Sequence, residues 1–81
     1  MFDNWLKEFF NNNFNIYYSD NIKRNNFYLG DLNLTPAEVA FLLSEFCNYF
    51  EFPLTKFIDN MKDFTCLDME LSAEKLLGDN K

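Results

Sequence analysis

Apolar residues recur with helical spacing in several separate stretches, and this pattern predicts an all-α chain. The first helix is predicted from about Asp3 to Asn12. Its apolar stripe, at spacings of three and four residues, consists of Phe2, Trp5, Leu6, Phe9 and Phe10. The asparagines at 11–13 should end it, because asparagine side chains compete for backbone hydrogen bonds. We interpret the stripe as core packing rather than as a ligand pocket.

The most informative pattern lies at the start of a second, central helix. Thr35-Pro36-Ala37-Glu38 is a capping box with proline at the first helical position. The helix is predicted to run to about Phe50, and Pro53 stops it or sets the following turn. Its predicted buried face consists of Val39, Leu42, Leu43, Phe46, Cys47 and Phe50, and its outward side of Glu38, Phe41, Glu45 and Asn48.

Two further helices are predicted in the C-terminal third. The first is short and carries Leu54, Phe57, Ile58 and Met61. The last should run from about Cys66 to Leu77, because Thr65 and Asp68 resemble a second capping box. Gly78 stands where a left-handed cap residue belongs, and residues 79–81 are expected to fray.

In residues 14–34, the apolar residues show no sustained periodic spacing. Ile16 and Tyr18 alternate as in a short strand, and Ser19 or Asp20 is expected to cap a helical turn through Ile22. The basic pair Lys23-Arg24 is interpreted as solvated. A long structureless loop is unusual in a compact domain, so its apolar residues should pack against the helices.

Length and composition indicate one domain covering residues 1–81. The chain is 48% hydrophobic and 20% aromatic with 11 Phe, so a filled core is expected. Its net charge of −6 argues against nucleic-acid binding and against an anionic membrane surface. The first residues lack a signal-peptide pattern, and no apolar run is long enough to span a bilayer, so we expect a cytoplasmic protein without membrane insertion.

The residue types present exclude several kinds of catalytic site. The chain contains no His, so a Ser-His-Asp or Cys-His nucleophile and a His-ligated metal are impossible within it. Two cysteines cannot complete a cysteine-only zinc site, and we interpret Cys47 and Cys66 as reduced core residues. We therefore expect neither an enzyme nor a metal site.

The order of predicted elements and several local sequences resemble the acyl carrier protein family. Phe27 is followed by Leu29-Gly30, Leu34 precedes the central helix, and Phe50-Glu51-Phe52-Pro53 follows it, like the family's I-E-I-P stretch. The segment DFTCLDMELSAEKL looks like the family's short third helix leading into its last one. The resemblance implies a four-helix bundle of three main helices and one short one, with a long loop between the first two.

The family's attachment serine is missing. In the family, a D-S-L triplet opens the second helix, and its serine carries the phosphopantetheine arm. Aligning Leu29-Gly30 places Asn33 at the serine position, whereas aligning Asp31-Leu32 with the family's D-L deletes the serine. Thr35 is the nearest hydroxyl, but an N-cap role explains it better. The capping box also occupies donors that the arm's phosphate would use, and Glu38 adds negative charge there. We therefore expect no phosphopantetheine.

In its size, its missing serine and its composition rich in Phe, Asn and Tyr, the chain resembles serine-less acyl-carrier-related proteins of peptide maturation systems, including bacteriocin-like ones. That resemblance implies a monomeric, non-catalytic docking module. Its expected partner is a protein or peptide with a basic patch, either a maturation enzyme or a precursor peptide. Family members are recognised through acidic and apolar residues around the second helix, and the equivalents here are Asp31, Glu38, Phe41, Glu45 and Glu51.

Two other functions remain open from the sequence. One is a loaded carrier with an atypical attachment residue. The other is a bacteriocin immunity protein, which is often a small helical bundle of similar length.

Overall fold

The computed structural model describes residues 2–79, which form five α-helices and one π-helical turn and contain no strand. The helices are α1 (Phe2–Phe9), α2 (Asp20–Arg24), α3 (Pro36–Phe50), α4 (Leu54–Asp59) and α5 (Cys66–Asp79), and the π-helical turn is Phe10–Phe14. The all-α prediction is confirmed. The fifth helix, α2, lies in the long connection between the first and central helices, where the sequence predicted a helical turn.

The asparagine run ends the first helix through a wider turn rather than by stopping it at Asn12. The α-helical bonding ends at Phe9, and the π-helical turn carries the chain on to Phe14. Asn15 then adopts a left-handed conformation, with φ of 55°, and its N–H donates to the Phe10 carbonyl. The Asn13 side chain donates to the Phe9 carbonyl at 3.1 Å. The competition of asparagine side chains for backbone groups is therefore visible in the structure.

Phe46, on α3, lies at the centre of the aromatic core and is fully buried. Five ring centroids lie 4.8–6.3 Å from its own, and they belong to Phe2, Trp5, Phe50, Phe52 and Phe57. These rings come from α1, α3, α4 and the α3–α4 connection. The predicted buried face of the central helix is confirmed except at its last residue, because Phe50 is only half-buried.

A buried hydroxyl joins the last two helices. Ser72 of α5 donates to the Phe57 carbonyl of α4 at 2.7 Å. At the start of α5, Thr65 accepts from the Asp68 N–H at 3.0 Å, as expected for a capping box. The reciprocal half is not formed with Thr65, because the Asp68 carboxylate accepts from the Asp63 N–H instead. The carboxylate thereby ties the α4–α5 connection to the helix that follows it.

The predicted helix end at Gly78 is wrong. Helix α5 continues through Asp79, and Gly78 is not among the residues with positive φ. A glycine does not by itself end a helix, since it also adopts helical angles. Of the tail that was expected to fray, Asn80 and Lys81 lie outside the described residues.

The connection between α1 and α3 is irregular at first and then helical. The strand expected at Ile16 and Tyr18 is not formed. The expected helical turn is confirmed as α2, and Ser19 caps it by accepting from the Ile22 N–H at 3.2 Å.

Lys23 is not solvated, contrary to the interpretation from sequence. Its ammonium lies 3.3 Å from Asp3 of α1 and 2.5 Å from Glu70 of α5, and only 16% of its side chain is exposed. Hydrogen bonds to Glu70 and Asp3 outweigh the effect of burial, so the pKa of Lys23 is raised. Lys23 thus links three helices, whereas the exposed Arg24 pairs with Asp20 of its own helix.

Phe27 anchors the second half of the connection. It is fully buried, its N–H donates to the Phe64 carbonyl at 2.8 Å, and its carbonyl accepts from the Leu34 N–H at 2.7 Å. These two bonds attach the residues before α3 to the α4–α5 connection. The start of α3 is therefore held in place from outside the helix as well as by its own cap.

Candidate functional site

The start of α3 is the region where the resemblance predicts function, and most of its backbone donors are already occupied. Thr35 Oγ1 accepts from the Glu38 N–H at 3.1 Å, and Glu38 Oε1 accepts from the Thr35 N–H at 2.9 Å. The Val39 N–H donates to the Thr35 carbonyl at 3.0 Å, and Pro36 has no N–H. Only the Ala37 amide remains in the first turn. The predicted capping box is confirmed, and it leaves little to bind an anion.

Asn33, which the resemblance aligns with the attachment serine, lies in a turn before this cap. Asn33 is exposed and left-handed, with φ of 43°, and Gly30 is also left-handed, with φ of 60°. Asp31, between them, is exposed. The Asn33 N–H donates to the Leu29 carbonyl at 3.3 Å. Asparagine tolerates this backbone conformation better than most residues, which gives Asn33 a structural reason to be there.

The outward side of α3 carries three of the five predicted docking residues. Phe41 and Glu45 are exposed. Glu38 is half-buried, because its carboxylate accepts a hydrogen bond from the Thr35 N–H. At a rise of 1.5 Å per residue, Glu38 and Glu45 lie about 10 Å apart along the helix. Glu38, although it lies on the predicted outward side, is therefore partly covered. Phe41 and Glu45 remain as freely accessible groups.

Phe41 packs against the first helix. Its ring centroid lies 5.3 Å from that of Phe9, and 44% of its surface stays exposed. The Phe9 ring holds one side of Phe41 in place, so the exposed part is a fixed apolar surface. A positioned aromatic of this kind is a common anchor in protein interfaces.

The other two predicted docking residues lie at opposite ends of α3. Asp31 precedes the helix, and Glu51 follows it as an exposed left-handed cap with φ of 61°. The 15 residues of α3 span about 22 Å, so Asp31 and Glu51 do not form one cluster. The Glu51 N–H donates to the Cys47 carbonyl, which gives this residue a role in ending the helix.

Sequence reasoning missed Tyr49, which belongs to the same face. It is 67% exposed and follows Glu45 by one helical turn. The spacing of Phe41, Glu45 and Tyr49, four residues each, contains the signal that would have found it. We call these three residues the α3 face. Helix α3 carries two glutamates and no basic residue, so this face is acidic and aromatic.

Open grooves flank α3 on both sides. The apolar groove toward α4 has a volume of about 190 Å³ and is lined by residues that include Pro36, Ala40, Leu54 and Phe64. The groove toward α1 has a volume of about 250 Å³. A larger groove of about 550 Å³ lies between α1 and residues 16–18 and contains none of the predicted docking residues.

Both cysteines are buried and free, as expected from the sequence. Burial raises the pKa of the Cys47 thiol to about 11 and that of the Cys66 thiol to about 12. Burial, together with the neighbouring Cys66, also raises the pKa of Tyr18. Neither thiol is thus activated as a nucleophile.

Residues 2–79 contain neither a cluster of metal-ligating side chains nor a helix that could cross a membrane. No group of three or more metal-ligating side chains comes together within that range. Across the same part of the chain, no helix combines the length and the apolar character needed to cross a bilayer.

Comparison of the chain with protein-family models, with curated proteins and with solved structures found no match.

Proposed function

We propose that the chain is a carrier-like docking module that is not loaded covalently. In this proposal it resembles the acyl carrier proteins in its helical order but lacks their attachment serine. It serves as a non-catalytic partner in a peptide maturation system of the bacteriocin-like kind. Its binding partner carries a basic patch and is a maturation enzyme or a precursor peptide.

The occupied start of α3 is the observation that carries this proposal. A loaded carrier needs a hydroxyl at the helix start and free donors for the arm's phosphate. Here Asn33 stands at the expected position, and the only adjacent hydroxyl, on Thr35, accepts from the Glu38 N–H. Glu38 adds a carboxylate at the start of the helix, and its negative charge disfavours a phosphate there.

The α3 face supports the docking part of the proposal. Phe41 offers an apolar surface held by Phe9, and Glu45 and Tyr49 lie on the next two turns of the same side. Acidic groups around an aromatic anchor complement a basic patch and accelerate encounter with it. The net charge of −6 acts in the same direction.

A loading assay tests the first part. The protein is incubated with a promiscuous phosphopantetheinyl transferase and coenzyme A, and its intact mass is measured beside a serine-bearing carrier as positive control. We expect no mass gain. The matched variant Asn33→Ser introduces a serine at the position that the resemblance aligns with the attachment serine. It therefore tests that alignment separately. Addition of one arm to the unaltered protein would show that it is a loaded carrier.

A binding assay tests the second part. The protein is immobilised, and partners from native cells are identified by mass spectrometry. The double variant Phe41→Ala/Glu45→Lys should lose the specific partner. The control Tyr17→Ala/Glu74→Lys also replaces an aromatic residue by alanine and a glutamate by lysine, at two other exposed positions, and should retain the partner. Glu38 is left unchanged, because its substitution would also remove the cap. Equal partner recovery by the two double variants would contradict docking through the α3 face.

A further inference from the structure

The groove between α1 and the C-terminal half of α3 has a composition that indicates a specific ligand. It is lined by Asn4, Trp5 and Glu8 of α1 and by Tyr49 and Phe50 of α3. Its volume of about 250 Å³ is below the roughly 300–1,000 Å³ of sites that hold drug-sized molecules. The groove therefore suits one side chain reaching in from a partner.

Aromatic rings form most of the groove. The centroids of Trp5 and Tyr49 lie 6.2 Å apart, and those of Tyr49 and Phe50 lie 4.9 Å apart. Phe9 stacks on the Trp5 ring at 4.8 Å and holds the indole in place. Tyr49 remains 67% exposed, so its ring is accessible to a ligand. Aromatic faces carry negative potential and attract cations.

Glu8 is the only charged residue among the five that line the groove. Its side chain is exposed and takes part in no ion pair within the described part of the chain. Glu45 does not line the groove, but it lies one turn before Tyr49 on α3 and adds to the negative charge of this helix. A cation is thus the complementary ligand in both respects, through the rings and through the carboxylate.

We propose that this groove binds an arginine side chain of the partner, an inference that rests on the proposed docking function. A planar guanidinium stacks on an aromatic ring while it donates to a carboxylate, so it can engage Tyr49 and Glu8 together. The Asn4 side-chain carbonyl provides a further acceptor. Lysine fits this arrangement less well, because its ammonium is compact and more strongly hydrated.

Trp5 makes the proposal directly measurable, since it is the only tryptophan in the chain. Its fluorescence and its single indole N–H signal in NMR spectra both report on the groove. The probe is acetyl-Gly-Arg-Gly-amide, compared with the same peptide carrying citrulline or lysine. We expect a saturable change of both signals with the arginine peptide, with a dissociation constant on the order of millimolar.

Two variants and one control define the site. Glu8→Gln and Tyr49→Ala should each weaken arginine binding about two- to five-fold, as exposed ion pairs and cation–π contacts do. Tyr17→Ala removes an even more exposed tyrosine outside the groove and should leave binding unchanged. A circular dichroism spectrum confirms that each variant is folded.

The proposal is overturned by the absence of a saturable change, by equal binding of the citrulline or lysine peptide, or by unchanged binding in both groove variants. These failures are distinguishable from failure of the proposed function. If the variant Phe41→Ala/Glu45→Lys loses the native partner but the unaltered protein does not bind the arginine peptide, the docking function stands and only the arginine site is refuted. Covalent loading of the unaltered protein would refute the docking-only function, regardless of the result with the peptides.

Discussion

Phe46 and Phe41 lie on the same helix but differ in burial. Replacing each by alanine therefore measures what the aromatic core contributes to the free energy of unfolding. Phe46 is fully buried among five rings, and its removal should cost about 3–5 kcal/mol of the free energy of unfolding. Phe41 is 44% exposed and buries roughly half of its side chain. Full burial of a phenylalanine contributes about 1.5–3 kcal/mol, so the loss of the buried part in Phe41→Ala should cost about 0.8–1.7 kcal/mol.

Overall stability determines how this comparison is measured. At about 0.05–0.15 kcal/mol per residue, a chain of 81 residues has a free energy of unfolding of about 4–12 kcal/mol. Phe46→Ala can therefore leave the protein largely unfolded, and Phe46→Leu provides a milder substitution at the same site. Urea unfolding is followed by far-UV circular dichroism and by fluorescence of Trp5, whose ring centroid lies 5.2 Å from that of Phe46.

The expected order is a loss for Phe46→Ala that exceeds the loss for Phe46→Leu and that for Phe41→Ala, with similar dependence on urea concentration in all variants. A loss for Phe41→Ala as large as that for Phe46→Ala would refute the reasoning, because it would place the energetic centre of the core on the wrong side of α3. The comparison also shows whether Phe41→Ala keeps enough stability to serve in binding assays.

Three further predictions concern single sites. Thr35→Ala should cost about 0.5–2 kcal/mol in urea unfolding, because the capping bond is lost, whereas the exposed Thr55→Ala in α4 should stay within about 0.5 kcal/mol. Gly78→Ala should raise stability by up to about 1 kcal/mol, because Gly78 is helical and an added Cβ meets nothing within 4 Å; a loss would contradict the helical assignment. Cys47 and Cys66 should resist Ellman's reagent at pH 8 unless urea is present. Since burial raises their pKa values from about 9 to about 11 and about 12, their contribution to stability is complete below pH 9 and is lost as pH rises above it. Rapid reaction of the folded protein would count against their burial.

The pattern along the chain determined the helices and their buried faces, because both depend on local spacing and capping. The capping box at Thr35 and Glu38 was predictable in full, since it needs only residues three positions apart. The start of α5 at Cys66 and the cap of α2 at Ser19 followed from the same kind of local signal. The all-α class follows from the sum of these signals.

Contacts between distant residues were decided only by the tertiary structure. Lys23 reads as a solvated lysine until folding places Asp3 and Glu70 beside it from two other helices. Asp68 reads as the second half of a capping box until the Asp63 N–H, five residues earlier, takes its carboxylate. Local sequence cannot rank such competing partners, because the outcome depends on which groups the fold brings within hydrogen-bonding distance.

The candidate docking surface was predictable in part from the sequence, and the rest required the tertiary structure. Helical spacing alone places Phe41 and Glu45 on the outward side of α3, and the sequence alone shows that residues 20–35, which lead into this helix, contain no serine. Only the tertiary structure shows that Phe9 holds the Phe41 ring, that Glu38 is half-buried in its cap, and that Tyr49 meets Trp5 and Glu8 across a groove. The physical reason is that periodicity specifies a face of one helix, whereas a binding groove exists only where two helices pack side by side.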